Sequence, residues 1–330
     1  MKHAASTAVS LMIALVISSH LAGAQSSREE KYVLIGTTSK TVGYMAPWVA
    51  KVKGFFQAEG VRVDIPVLRS ATTGIQALVA GSTQFDSTTA DAMITAVDKG
   101  QELELIGGMI NGATYRLVAT KKFQSFKDLK GAIIGVSSLT SGSTVLLRLM
   151  LEKNGIHYPR DYTLLSVGGT PERLAALESG RLDATLLAAP LSYKAVDMGY
   201  TKIGDVYEYV NHYQLSGVAV ATRWARDNQD TVKRVLRGLI RGFQWLHQNK
   251  EEAIAFISSE LKLERRYAAA GWEEYVRSNA WPPRGDIDVE GVKTQIQILA
   301  QGNNSSGPLP PSEKYINLNY LRAAQKELGM

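Results

Sequence analysis

The sequence predicts an α/β protein built as two lobes. Three observations carry this expectation. Strand-like and helix-like segments alternate from Lys31, the alternation starts afresh near Phe126, and from Asp227 the chain turns helical. Strand–helix alternation builds mostly parallel sheets flanked by helices. Two successive sets imply two such lobes, and no repeat of solenoid length is visible. The chain has 330 residues and no cysteine. Without disulfides it must be held by its core, and a chain of this length divides more readily into two units than one.

The elements follow in order. KYVLIGTT, from Lys31, is a β-branched strand, and MAPWVAKVKGFFQAEG is a helix with Met45, Val49, Val52 and Phe56 on one face and Gly60 as its stop. VRVDIPVL alternates Val61, Val63 and Ile65 with Arg62 and Asp64, the pattern of a half-buried strand. TTGIQALVAG is a helix closed by Gly81. QFDSTTADAMITAVDKG gives a short strand, a turn and a helix, and LELIGGMI and TYRLVATKK are strands. The second set begins with FKDLKGAIIGVSS, a turn and a strand, followed by a hydroxyl-rich stretch and a helix to Gly155. DYTLLSVGG is a strand. PERLAALESG is a helix with Pro171 in its first turn and Gly180 as its stop. LDATLLAAP is a strand, LSYKAVDMG a short helix and SGVAVATR the last strand. Beyond Asp227, three-and-four apolar spacing marks helices. NNSSGPLPPSE is a loop, and YINLNYLRAAQKELG closes the chain as a helix.

Ahead of the first strand lie Lys2 and His3, the apolar run VSLMIALVI and the small-residue signature LAGAQ. Together they read as a secretory signal over residues 1–24, cut after Ala24. The run is too short for a stop-transfer helix, and no later stretch is apolar enough to span a bilayer. The missing cysteine excludes thiol nucleophiles, thiolate metal sites and a lipid-modified N-terminal cysteine. The formal net charge of +6 is spread over short basic runs, Lys121-Lys122 and Arg265-Arg266, which gives no nucleic-acid footprint.

In open α/β sheets ligands sit beyond the carboxyl ends of the strands. Those ends here carry Thr37-Thr38-Ser39, Ser70 to Thr73, Ser87 to Asp91, Ser137 to Thr144, and Ala188-Ala189-Pro190. Four of the five loops are hydroxyl-rich, and most open a helix whose first amides lack internal partners, which suits an anion or a polar head group. Taken singly, each hydroxyl reads as a helix cap; recurrence at equivalent strand ends points to a cleft. Arg69 is placed to pair with a ligand carboxylate or sulfonate, or equally to form a surface salt bridge. Asp91 closes the third loop and Arg116 starts the strand that joins the lobes. Tyr44 begins the first helix where it can face a ligand, and Trp48 lies beside the apolar stripe as a core residue.

Catalytic signatures are missing. SGSTV lacks the flanking glycines of a nucleophile elbow. Neither G-K-[ST] nor G-x-G-x-x-G occurs, and GGMING and VGGTPERL space their glycines wrongly. No histidine and carboxylate pair has metal-ligand spacing. His157 and His247 read as surface or packing residues. His212, ahead of the last strand, is the one histidine placed near a cleft. No catalytic residue, cofactor or metal is expected.

The order of segments resembles the periplasmic substrate-binding proteins of ABC importers, in the branch that binds sulfonates, taurine, nitrate and thiamine-pyrimidine precursors. GYMAPWVAKVKGFFQAEGVRVDI, GIQALVAGSTQFDSTTADAMITAVDKG, SFKDLKGAIIGVSSLTSGSTVLLRLMLEKNGI, ERLAALESGRLDATLLAAP and YINLNYLRAAQKELG carry the resemblance over nearly the whole mature chain. It implies the type II binding-protein fold, with a ligand between two lobes joined by hinge strands. Lobe one is expected at 31–114 plus 217–330 and lobe two at 115–216. Carried onto this chain, the family's ligand loops correspond to Thr38, Ser39, Tyr44, Thr72, Thr88, Thr89, Ser138, Thr140, Ser141, Gly142, Ser143, Thr144 and Pro190. The implied protein is a monomeric periplasmic receptor. It takes a small organic anion or polar aromatic compound (a sulfonate, a carboxylate or a pyrimidine-like solute) and hands it to an ABC permease and its ATPase. STTADA stands where many relatives are apolar or proline-rich. The alternatives are an enzyme on the same fold acting on a pyrimidine-like substrate, and a ligand sensor for a signalling receptor. The cysteine-rich motif and active-site histidine of the fungal pyrimidine synthases have no counterpart in this sequence.

Overall fold

A computed structural model describes residues 30–139, 141–302 and 307–330. The expected signal at 1–24 and residue Thr140 lie outside the described residues. Ten strands form two five-stranded sheets. The first sheet takes β1 (Lys31–Thr37), β2 (Val61–Asp64), β3 (Phe85–Thr89) and β4 (Leu103–Asn111). The chain then crosses over and lays down β5 (Tyr115–Ala119), β6 (Ile133–Val136), β7 (Thr163–Ser166), β8 (Ala184–Ala188) and β9 (Thr201–Asp205) as the second sheet. It returns with β10 (Gln214–Ala221) to the first. The orders are β2-β1-β3-β10-β4 and β7-β6-β8-β5-β9. In each sheet the fourth strand is the one that crosses, and it runs antiparallel to its neighbours.

The helices are α1 (Met45–Val52), α2 (Phe55–Ala58), α3 (Ala71–Val79) and α4 (Ala90–Asp98) around the first sheet. Those around the second are α5 (Gly142–Lys153), α6 (Thr170–Glu178) and α7 (Leu191–Asp197). The C-terminal part supplies α8 (Thr222–Asp227), α9 (Gln229–Gln248), α10 (Lys250–Leu261), α11 (Arg265–Arg277), α12 (Val289–Gly302) and α13 (Asn319–Glu327). Among the described residues no helix is long and apolar enough to cross a membrane.

Most expected elements are present, with four differences. The first helix is two, because Gly54 takes a left-handed backbone at φ 74° and breaks it. TKIGD forms β9, a strand hidden from the sequence by its single alternation of apolar residues. The last helix starts at Asn319, since Tyr315 and Ile316 are held instead against β4 through Leu105. The return strand already pairs with the first sheet at Gln214, ahead of the expected boundary at 217.

The core of the first unit is closed by α9 and by Trp281, fully buried and donating through its indole to the Gly43 carbonyl at 3.2 Å. Arg237 on α9, itself buried, pairs with the buried Glu59 and with Glu327 at the surface. One polar group in this core is conspicuous. Asp86 on β3 is fully buried, neither of its carboxylate oxygens has a hydrogen-bond partner, and it faces two glycines. A β-carbon on Gly36 or on Gly74 would come within 2.3 Å of an Asp86 oxygen. Burial pushes this carboxyl up to about 7, with the Thr88 hydroxyl pulling only weakly the other way.

The native state therefore holds the Asp86 proton more tightly than the unfolded chain, so stability falls as pH rises from about 4 to about 7 and is level above that. Replacing the group with a neutral amide removes this loss. Urea denaturation of wild type and Asp86→Asn at several pH values should show the variant gaining on wild type by about 4 kcal/mol across that window. A difference that stays constant with pH would refute the protonated buried acid.

Candidate functional site

The strand ends of the two sheets face one another across a cleft. From the first side come Thr38, Ser39 and Thr41 after β1, Tyr44, the Arg69-Ser70-Ala71 turn, and Thr89 at the end of β3. From the second come Ser137, Ser138 and Ser141 between β6 and α5, Ser143 in the first turn of α5, Gly169 and Thr170 opening α6, Arg173 on α6, and Ala188 at the end of β8. Tyr115 at the crossing and Tyr275 on α11 close the back. The cavity measures about 50 Å³.

The hydroxyl stretch that follows β6 is internally bonded. Ser137 Oγ donates to Ser141 Oγ at 2.6 Å. Ser143 lies 3.2 Å from Ser137 and 3.1 Å from Ser141. Ser141 and Thr144 both donate to the Ser138 carbonyl, at 3.1 and 2.6 Å. Ser141 occupies the N-cap of α5, yet its side chain caps no backbone amide. Ser70 does the opposite: its Oγ accepts from the Thr73 amide at 3.1 Å and caps α3. The cap therefore explains the second hydroxyl loop and not the fourth.

Arg173 is the group the sequence reading missed. It is 2% exposed, and all its partners are neutral: the Leu186 carbonyl at 3.1 Å, the Gly168 carbonyl at 2.9 Å and the Thr170 hydroxyl at 3.3 Å. Among the described residues no carboxylate forms an ion pair with it. Burial presses its pKa down, while the neighbouring Tyr115 phenol and the charge of Glu172 push the other way. A cation removed from water without a hydrogen-bonded counter-ion is costly, so the cleft wall carries a positive charge whose hydrogen bonds all go to neutral groups. In the sequence, PERLAALESG marks a helix without saying which way Arg173 points; the packing of α6 over β8 turns it inward. Tyr275 was equally hidden, because α11 reaches the cleft from far along the chain.

The other sequence-derived residues divide. Thr38, Ser39, Tyr44, Arg69, Thr89, Ser138, Ser141 and Ser143 come together in the cleft. Arg69 does so with a left-handed backbone, φ 64°, a strained conformation for a residue with a side chain. Tyr44 is buried, and that burial pushes its phenol well up. Five do not line the cleft. Thr72 faces an outer groove between α3 and α4. Thr88 is fully buried within the sheet. Thr144 is fully buried beneath the Ser138 carbonyl. Pro190 packs on Gly271 of α11. Gly142 allows a close approach, but of protein: a β-carbon there would lie 2.6 Å from an Asp91 oxygen and 3.1 Å from the Tyr213 hydroxyl. Asp91 is 1% exposed, has no hydrogen-bond partner on either oxygen, and is pushed up to about 6 by burial. It belongs to the seam between the two sides. Arg116 is structural, donating to Asp205 at 2.6 Å and stacking on Tyr193. His212 is exposed, with Nδ1 3.3 Å from an Asp288 oxygen, and does not line the cleft.

With this geometry in view, comparison with known proteins is informative. The chain belongs to the NMT1/THI5-like family, whose description matches residues 43–253. A Brucella abortus protein named as a binding protein is 25% identical over 234 residues, covering 68% of this chain and 72% of that one. Among solved structures, the nitrate-binding protein NrtA of Synechocystis superposes with a TM-score of 0.73 at 15% identity, covering 91% of this chain and 89% of that one. The periplasmic aliphatic sulphonate-binding protein SsuA of Escherichia coli gives 0.67 at 19%, covering 88% and 99%. The fold is thus that of the periplasmic binding proteins, as the resemblance implied.

Gly142 and Asp91 provide a test of the seam. A methyl group at Gly142 meets the Asp91 carboxylate, and overpacking of this kind costs about 1–3 kcal/mol. Gly142→Ala should lower stability by about that much in thermal or urea denaturation. The same substitution on an Asp91→Ala background should cost far less, a coupling that a double-mutant cycle reads directly. Additive losses would place the two residues out of contact.

Proposed function

We propose that the protein is a periplasmic solute receptor that binds a small anion in this cleft and delivers it to an ABC importer. The observation that carries the reading is Arg173, a buried guanidinium with only neutral hydrogen-bond partners, beside the mutually bonded hydroxyls of Ser137, Ser141 and Ser143. An arriving carboxylate, sulfonate or nitrate supplies a directly bonded counter-charge, and charge-assisted bonds from guanidinium and hydroxyls are about twice as strong as neutral ones. Membership of the family and the names borne by similar proteins, which are binding proteins for nitrate and for sulfonates, support the same reading. The two units, one around each sheet, act as lobes hinged at the crossings. Closure on the ligand presents the shape that the permease recognises.

A thermal-shift screen of alkanesulfonates, aromatic carboxylates, nitrate, pyrimidines and amino acids tests this. A ligand at one hundred times its Kd adds about 2.7 kcal/mol, a rise of several degrees in Tm. At least one anion should produce it, and Arg173→Gln should abolish it. Stabilisation by neutral pyrimidines alone, undiminished in Arg173→Gln, would overturn the anion assignment.

A further inference from the structure

The cleft does not end at its hydroxyls. A second cavity of about 460 Å³ runs between α3 and α4 on the outside of the first sheet, and it shares Ala71, Ser138 and Ser141 with the cleft. An apolar strip of Ile75 and Val79 on α3 and the small Ala92 and Ala96 on α4 lines it, flanked by the polar Thr72, Gln76 and Thr95. Ile75 and Ala96 are buried, whereas Val79 is 49% exposed at the rim. Lys99 and Gln101 stand at the outer end. From Ala71 to Ala80 the groove follows about 13 Å of helix at 1.5 Å per residue, the reach of an extended chain of roughly ten carbons.

The two volumes differ in a telling way. The cleft's 50 Å³ admits a charged head group and little more, whereas binding sites for small organic molecules span roughly 300–1,000 Å³. We propose that the α3–α4 groove is the second half of the ligand site and takes an unbranched apolar tail. The ligand is then an amphiphilic anion, with its head at Arg173 and its tail passing Ala71 to lie over Ile75, Ala92 and Ala96. This rests on the anion reading above and deepens it. The three residues the groove shares with the cleft are what select a ligand tail over a protein partner. Ser138 and Ser141 come from the second side, so the groove is complete only when the two sides meet, and a tail lying in it favours closure.

Two homologous probe series, n-alkane-1-sulfonates and n-alkanoates from one to eight carbons, test the inference by calorimetric titration. Affinity of the wild type should rise about fourfold per methylene once the chain enters the groove, the gain for burying one methylene group. Ala96→Leu, which fills the groove, should bind the one-carbon member within about twofold of wild type and lose the dependence on length. If that variant does not fold, Val79→Ser at the exposed rim should flatten the slope in the same way. Affinity that is independent of chain length in wild type, with Arg173→Gln still abolishing binding, overturns the groove and leaves the anion reading intact. A length dependence unchanged in both groove variants also overturns it. Unaltered binding with loss of uptake in Ala96→Leu cells overturns it in favour of a docking surface for the permease. Failure of every member of both series to bind removes both readings together.

Discussion

The Gly112 amide donates to the Tyr213 carbonyl, so the two places where the chain passes between sheets lie against one another. Much else depends on this constraint. Each sheet contains one strand whose preceding strand in sequence belongs to the other sheet, β5 in the second and β10 in the first. The second sheet is one continuous segment, whereas the first is complete only when the chain returns as β10. Gln214 fixes the return crossing. Its side chain donates to Ile110 and Ser216 carbonyls and accepts from the Asp288 amide, while its own carbonyl accepts from Gln295 at 2.6 Å. These bonds tie the return crossing to the start of α12 and to β4. The opposite flank is joined by side chains of α7 and α11, Tyr193 donating to Glu274 at 2.6 Å and Arg266 pairing with Asp197 at 3.1 Å.

Charge placement follows from the same geometry. The second side presents a buried cation, Arg173, and the seam holds a buried acid, Asp91, with Tyr115 close enough to feel both. An ionised Asp91 would oppose an incoming anion. Burial raises the affinity of Asp91 for its proton, to about 6. The group is then still largely ionised at neutral pH, so burial weakens the opposing charge at the seam and a mildly acidic pH removes it. Asp86, deeper in the first sheet, is held by the same desolvation but has no part in the seam.

The fold was largely legible in the sequence because it rests on local signals. Period-two runs such as Val61-Arg62-Val63-Asp64 and glycine stops such as Gly60 and Gly180 mark elements by spacing alone. What escaped depended on distant packing. β9 has too few alternating apolar residues to stand out, and it becomes a strand because β5 offers it an edge. The site was legible in part for the same reason. Loops at strand carboxyl ends are predictable, so Thr38, Ser39, Tyr44, Arg69, Thr89, Ser138, Ser141 and Ser143 were within reach. Whether a loop residue faces the cleft depends on one turn of helix. Thr72 lies two residues from Ser70, yet it lines the neighbouring groove between α3 and α4 and not the cleft.

Hydroxyl-rich turns are ambiguous in sequence because one chemistry serves two ends, and here the two can be told apart atom by atom. Ser70 spends its oxygen on the Thr73 amide and so completes its own helix. Ser141 occupies the same position on α5 but turns its oxygen to Ser137, Ser143, Thr144 and the Ser138 carbonyl, and leaves the cap unmade. Forgoing a cap costs about 1 kcal/mol. A network that accepts this cost holds its hydroxyls at fixed spacing beside Arg173 before any ligand arrives, and prior ordering is what converts a polar surface into a selective one, because the ligand then bears less of the entropy of arranging it.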